Sequence, residues 1–151
     1  LSHVVNAYNY RGLPEWVKFI AKRFPGIEVF FFFVYPSVKG LKHLDMYPRL
    51  SDVEPYWYEA LAAIQELNIH INVDSLAGFP MCFMKGHEHL SKFYNAEEDE
   101  AIIGEEADDH TLKRPEMRHA AGCEGCTWER VCPGFWVDYM DRFGEDEFQA
   151  V

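Results

Sequence analysis

The run IEVFFFFVYP at 27–36 carries no polar residue between Val29 and Val34. A strand this apolar on both alternating faces suits a parallel sheet covered on each side. Its surroundings agree. SHVVNAYNY (2–10) is β-branched and aromatic. LPEWVKFIAKRF (13–24) places Trp16, Val17, Phe19, Ile20 and Phe24 at helical spacing, with Pro14 at an early helical position and Pro25-Gly26 as a stop. After the connection SVKGLKHLDMYPRLS, Trp57, Leu61, Ile64 and Leu67 repeat at three and four residues within 52–68, an amphipathic helix. IHINVDSLA (69–77) then gives a third strand. Strand–helix–strand–helix–strand with connections of this length predicts right-handed crossovers and a parallel α/β sheet.

Three parallel strands alone leave an apolar edge open, so this portion, residues 1–81, is expected to belong to a larger sheet or barrel. Ligands of such sheets gather beyond the carboxyl ends of the strands. Those ends carry Asn6, Asn9 and Tyr10, then Tyr35 and Ser37, then Asp74 and Ser75. Asn9, Tyr35, Ser37 and Ser75 are the candidates to line a cofactor or substrate pocket; Asn and Ser there also serve simply as turn and helix caps. Past Cys82 the alternation ends. Residues 82–151 read as an irregular cysteine-rich extension ending in a helix, with an acidic loop at 95–109.

That loop holds Glu97, Glu98, Asp99, Glu100, Glu105, Glu106, Asp108 and Asp109, without the alternating ligands and turn glycine of a calcium loop. It reads as a solvated insertion. With a net charge of −11, the chain lacks the cationic surface that nucleic acids and anionic membranes require. No apolar run reaches the roughly 20 residues that cross a bilayer. A cytoplasmic protein is expected, and Leu1 in place of Met predicts that an N-terminal portion precedes this sequence.

Four cysteines stand as C-x40-C-x2-C-x5-C: Cys82, Cys123, Cys126 and Cys132. Disulfides need an oxidising compartment, for which no route is visible. Three inert thiols within ten residues, next to glycines, are unusual for packing alone. Two readings stay open. Zinc accepts four thiolates, usually from two C-x2-C knuckles. An iron–sulfur cluster suits the wider x5 spacer, and Cys132-Pro133 matches the Cys-Pro ending of ferredoxin runs. Gly122, Gly125 and Gly134 permit positive φ and hence backbone amides turned towards sulfur. Phe135, Trp136, Tyr139 and Phe143 are expected on one short helix that keeps the site dry.

The C-x2-C-x5-C run followed by P-G-x4-Y-x3-F-G-x2-E-F resembles the auxiliary-cluster region of radical S-adenosylmethionine enzymes with a SPASM or shorter Twitch extension. The matching positions are Cys123, Cys126, Cys132, Pro133, Gly134, Tyr139, Phe143, Gly144, Glu147 and Phe148. GFPMCF (78–83), VVNAYNYRGLPEWVKFI and FFFFVYPSVKG are similar to segments of the late barrel strands and their exit in that family. The resemblance implies a partial (βα)6 barrel and an auxiliary 4Fe–4S cluster on the four cysteines. It implies reductive cleavage of S-adenosylmethionine by a second 4Fe–4S cluster, a peptide or small-molecule substrate and an electron donor protein.

The family's C-x3-C-x2-C motif is absent, so the chain as given is not expected to cleave S-adenosylmethionine alone. A full SPASM pattern has a further cysteine beyond Cys132, where Trp136 stands here, which limits the chain to one auxiliary cluster. No catalytic residue is assigned. His87-Glu88-His89 near Cys82 reads as surface, His70 as a partly buried strand side chain, and Glu147 and Phe148 as docking groups for the terminal helix.

Overall fold

Alternating strand and helix signals become a three-stranded sheet in the computed structural model, which describes residues 1–34, 43–73, 79–94 and 116–151. β1 (Ser2–Val5), β2 (Val29–Phe33) and β3 (Ile71–Val73) lie in the order β1-β2-β3. Both pairs are parallel, with Val5 beside Phe33 and Val29 beside Ile71. The crossovers contain α1 (Leu13–Arg23) and α2 (Leu50–Glu66). A sheet order that runs on in one direction, with crossovers of one hand, puts both helices on one face; α1 and α2 accordingly pack against each other.

β2 departs from the expected double cover. Val29, Phe31 and Phe33 are buried, but Phe30 and Phe32 are only half-buried. Val4, level with Phe32, is 47% exposed. Among the described residues the strands form an open three-stranded sheet, and no barrel is closed.

α1 buries Leu13, Val17 and Ile20, each worth about 1.5–3 kcal/mol on removal from water. Phe19 and Phe24, expected in its apolar stripe, face outward and touch each other edge-on. α2 buries Leu50, Val53, Trp57, Leu61 and Ile64. Leu67 falls beyond its end and is 44% exposed, because Asn68 at φ 51° takes the left-handed conformation that stops helices.

Beyond β3 the backbone turns in short 3-10 segments at Met81–Phe83, Glu88–Leu90, Lys92–Tyr94 and Ala121–Cys123. β4 (Met117–Arg118) pairs antiparallel with β5 (Phe135–Trp136), and α3 (Val137–Phe143) follows directly. Phe135 and Trp136 are therefore strand rather than the expected helix. Gly134, at φ 79°, lies so close to the Arg118 carbonyl that any side chain there would collide with it. This approach holds the two-residue ladder together.

Residues on both sides of position 81 share one core. The Phe33 ring touches Phe79, Phe135, Trp136 and Tyr139 at centroid distances of 5.4 to 6.1 Å. Trp57 stacks on Phe79 at 4.0 Å and donates its indole N–H to the Phe83 carbonyl at 3.0 Å. Among the described residues no helix is long and apolar enough to cross a membrane.

Candidate metal centre

Cys82 occupies the Met81–Phe83 turn, fixed by Phe83 N–H to Pro80 O at 2.9 Å and by buried Phe79, Met81 and Phe83. The other three cysteines sit on a chain of tight turns. Cys123 N–H donates to Ala120 O at 3.0 Å, Cys126 N–H to Cys123 O at 2.9 Å and Cys132 N–H to Trp128 O at 2.8 Å. Gly125, at φ 75°, allows the reversal between Cys123 and Cys126. The Glu145 carboxylate accepts Ala121 N–H at 2.8 Å and pairs with Arg118, anchoring the start of this loop.

All four cysteines, although forty residues separate the first two, line one pocket that leaves about 20 Å³ of free space. Arg118, His119 and Glu129 stand on the same wall, and His119 Nε2 donates to Cys132 O at 2.6 Å. The thiols are free rather than disulfide-bonded. Burial pushes the Cys82 thiol up to about 12, with the neighbouring Cys132 and Cys123 adding to it. Burial also raises Cys123 and Cys132. Thiols so placed keep their protons until a cation neutralises the thiolates.

Backbone amides oppose that rise. Hydrogen bonding to the backbone at Ala120 works against the rise at Cys123, at Met81 and Gly134 against that at Cys132, and at Gln149 against that at Cys82. Of the glycines expected to aim amides, Gly125 and Gly134 have positive φ. Gly122 does not; its lack of a side chain admits the Phe148 carbonyl, which a Cβ would strike.

Among the described residues, no three His, Cys, Asp or Glu side chains are disposed around a single-ion position. A tetrahedral zinc at ~2.3 Å from each sulfur needs them within roughly 4 Å of one another. What the four thiols share is the wall of a pocket. A soft, all-thiol donor set is of the kind that both zinc and iron–sulfur clusters take.

The chain's last residues complete the site, which no sequence motif announced. Ala150 N–H donates to Gly122 O at 2.8 Å and Thr127 N–H to Val151 O at 3.0 Å. Cys126 Sγ lies 3.8 Å from Val151 O. Glu147 and Phe148 dock as expected of them, but Glu147 also caps α2. Its carboxylate accepts Ser51 N–H at 2.9 Å and the Tyr139 hydroxyl at 2.6 Å, while Leu50 N–H donates to that hydroxyl at 2.6 Å.

The remaining candidates lie elsewhere. The Asn9 side chain accepts Asn6 N–H at 2.9 Å and donates to Val4 O at 2.8 Å, so its amide closes the turn after β1. Tyr35, Ser37 and Ser75, like the acidic stretch 95–109, lie outside the described residues. His87 packs beside Tyr58 and His89 accepts from Gln65, and neither lines the cysteine pocket. His70 is not partly buried: it precedes β3, and its exposed ring pairs with Glu28 at 3.3 Å.

No protein-family model matches the chain, and no curated protein or solved structure matches it either.

Proposed function

We propose that this chain is the C-terminal part of a radical S-adenosylmethionine enzyme and that Cys82, Cys123, Cys126 and Cys132 hold an auxiliary 4Fe–4S cluster. The observation that carries the reading is the convergence of Cys82 with the three clustered cysteines, forty residues further on, on one pocket. Two further features are compatible with it. The parallel β1-β2-β3 order, with α1 packed on α2, suits a βαβαβ portion of an open α/β sheet or of a barrel alike. Hydrogen bonding to the backbone lowers the Cys82 and Cys132 thiols, the direction that favours a bound thiolate.

When bound, such a cluster supplies one-electron transfer. The chain's own residues hold and tune it: four thiolates leave no open position for substrate, Phe135, Met140 and Phe148 exclude water, and Arg118 offsets negative charge. The role that follows is electron transfer or structural support during modification of a peptide or small molecule, with an electron donor protein as partner. Cleavage of S-adenosylmethionine and the cluster that performs it belong to a C-x3-C-x2-C segment, which this sequence does not contain. Asn9, Tyr35, Ser37 and Ser75 remain proposed pocket residues from their places in the sequence, and a cytoplasmic location goes with the reading.

Anaerobic loading with iron and sulfide is expected to give about four irons per chain and a visible absorbance that dithionite bleaches. Cys82→Ser and Cys126→Ser are each expected to lose it. A full, equally stable centre in either variant defeats the assignment. A second reading, a zinc-stapled domain with a structural or partner-binding role, draws on the tail's hydrogen bonds to both the cysteine loop and α2. Uptake of one zinc with no iron and sulfide would select it.

A further inference from the structure

His3 and Val5 share one face of β1, level with Phe31 and Phe33 on β2. Val5 is fully buried. His3 is half-buried, its imidazole 4.1 Å from the Trp16 ring of α1 and 5.9 Å from Phe31, centroid to centroid. Its Nε2 is shielded from water and has no hydrogen-bond partner. A neutral imidazole tolerates this, because one of its ring nitrogens is a bare acceptor. An imidazolium does not, because Nε2 then carries a proton with nothing to receive it.

The neighbouring charges do not compensate. On α1, Glu15 and Lys18 are bonded to each other at 3.0 Å, with Glu59 of α2 3.7 Å from Lys18, and Lys22 and Arg23 stand in the last turn. Ahead of β2, Glu28 pairs with His70, and its carbonyl accepts the Leu1 amino group. Burial alone holds the His3 ring below its ordinary 6.5. Among the described residues β1 is an edge strand, paired with β2 alone. Phe30 N–H to Leu1 O, at 2.8 Å, secures its start, and Val34 N–H to Val5 O, at 2.9 Å, secures its end.

From this arrangement we infer that His3 is a pH-sensitive latch: its neutral ring closes the start of β1 against Trp16, and protonation releases residues 1–3 from the edge of β2 while Val5 keeps the end of the strand in place. Opening puts the ring in water, where it takes up a proton near 6.5, whereas the closed form resists protonation. Acid therefore favours opening as pH falls below 6.5, and the effect levels off once the closed form is protonated too. The released segment bares Trp16, Phe31 and the β2 edge at Phe30, so a modest fall in pH exposes an apolar strand edge. The latch shares no wall with the cysteine pocket.

The test is amide hydrogen exchange on the full, reduced, metal-free chain between about pH 7.5 and 5, with each rate corrected for the intrinsic rate at that pH. Phe30 protection is expected to fall several-fold, at most about tenfold per pH unit, while Val34 protection holds. His3→Leu keeps an apolar side chain against Trp16 without a titratable nitrogen and is expected to abolish the fall. His70→Gln, which removes the histidine paired with Glu28, is expected to keep it. Phe30 protection independent of pH in the unsubstituted chain overturns the inference, as does a fall that survives in His3→Leu. Equal loss at Phe30 and Val34 also overturns it, because the whole strand then opens. A second readout needs no substitution: the His3 ring protons are expected to titrate below 6.5, and a midpoint at or above 6.5 overturns the latch.

Discussion

Cys82 differs from its three partners in origin and in surroundings, and its protonation ties the site to stability. Its thiol rises from 9.0 to about 12, chiefly by burial and then by the neighbouring sulfurs. An acid raised on folding holds its proton more tightly in the folded chain. As pH climbs past the unfolded value of 9.0, the unfolded chain loses protons that the folded chain keeps, so folding stability falls. Tyr58, raised from 10.0 to about 12 by burial and then by Glu54, acts in the same direction. The metal-free, reduced protein is therefore expected to lose stability progressively between about pH 9 and 12, and Cys82→Ser to lessen the early part of that loss. Urea denaturation across this range checks it, and a midpoint independent of pH above 9 contradicts it. Loading inverts the dependence, because bound thiolates have already given up their protons and acid then displaces the metal.

At the scale of elements, the start of α2 is set from the far end of the chain. Leu50 N–H and Ser51 N–H are two of the donors a helix N-terminus leaves open, and Tyr139 and Glu147 satisfy them across 89 and 96 residues. Tyr139→Phe leaves Leu50 N–H and one Glu147 oxygen without that partner in a buried place, at an expected cost of about 1–3 kcal/mol. Glu147→Ala removes a cap, at about 1 kcal/mol. The double variant is expected to lose less than the sum, because both changes break one network; strict additivity in urea denaturation would refute the shared cap. This network also explains what the sequence withheld. Helical spacing located α1 and the body of α2, and the apolar run located β2, because those signals are local. The two extra residues at the start of α2 depend on side chains far away. Phe135 and Trp136 read as helix, since only the approach of Gly134 to Arg118 makes them strand. In the site, four thiols at telling intervals were legible. The tail's bonds to Gly122 and Thr127 were not, because backbone groups leave no mark on residue identity.

For the whole molecule, the decisive fact is that the sheet, α2 and the tail share a single core, with Phe33 at their junction. Phe33 is fully buried and meets four aromatic rings drawn from 79 to 139. A chain built as an independent βα portion and a separately folded extension would bury such residues within each part. Here the extension supplies the cover for the end of β2, and the tail supplies the cap of α2, so neither part is expected to persist without the other. The described residues should then unfold in one step. The four tryptophans report on this from different places: Trp16 on α1, Trp57 on α2, Trp128 in the cysteine loop and Trp136 on β5. Single-tryptophan variants, with the other three replaced by Phe, are expected to give coincident urea midpoints, also coincident with the loss of helical circular dichroism. Loading the site should move all the midpoints upward together, because a ligand that binds only the folded chain stabilises whatever unfolds with it. If Trp128 responds alone while Trp16 and Trp57 hold their metal-free midpoints, the cysteine loop is a separate unit and the shared core does not couple it to the sheet.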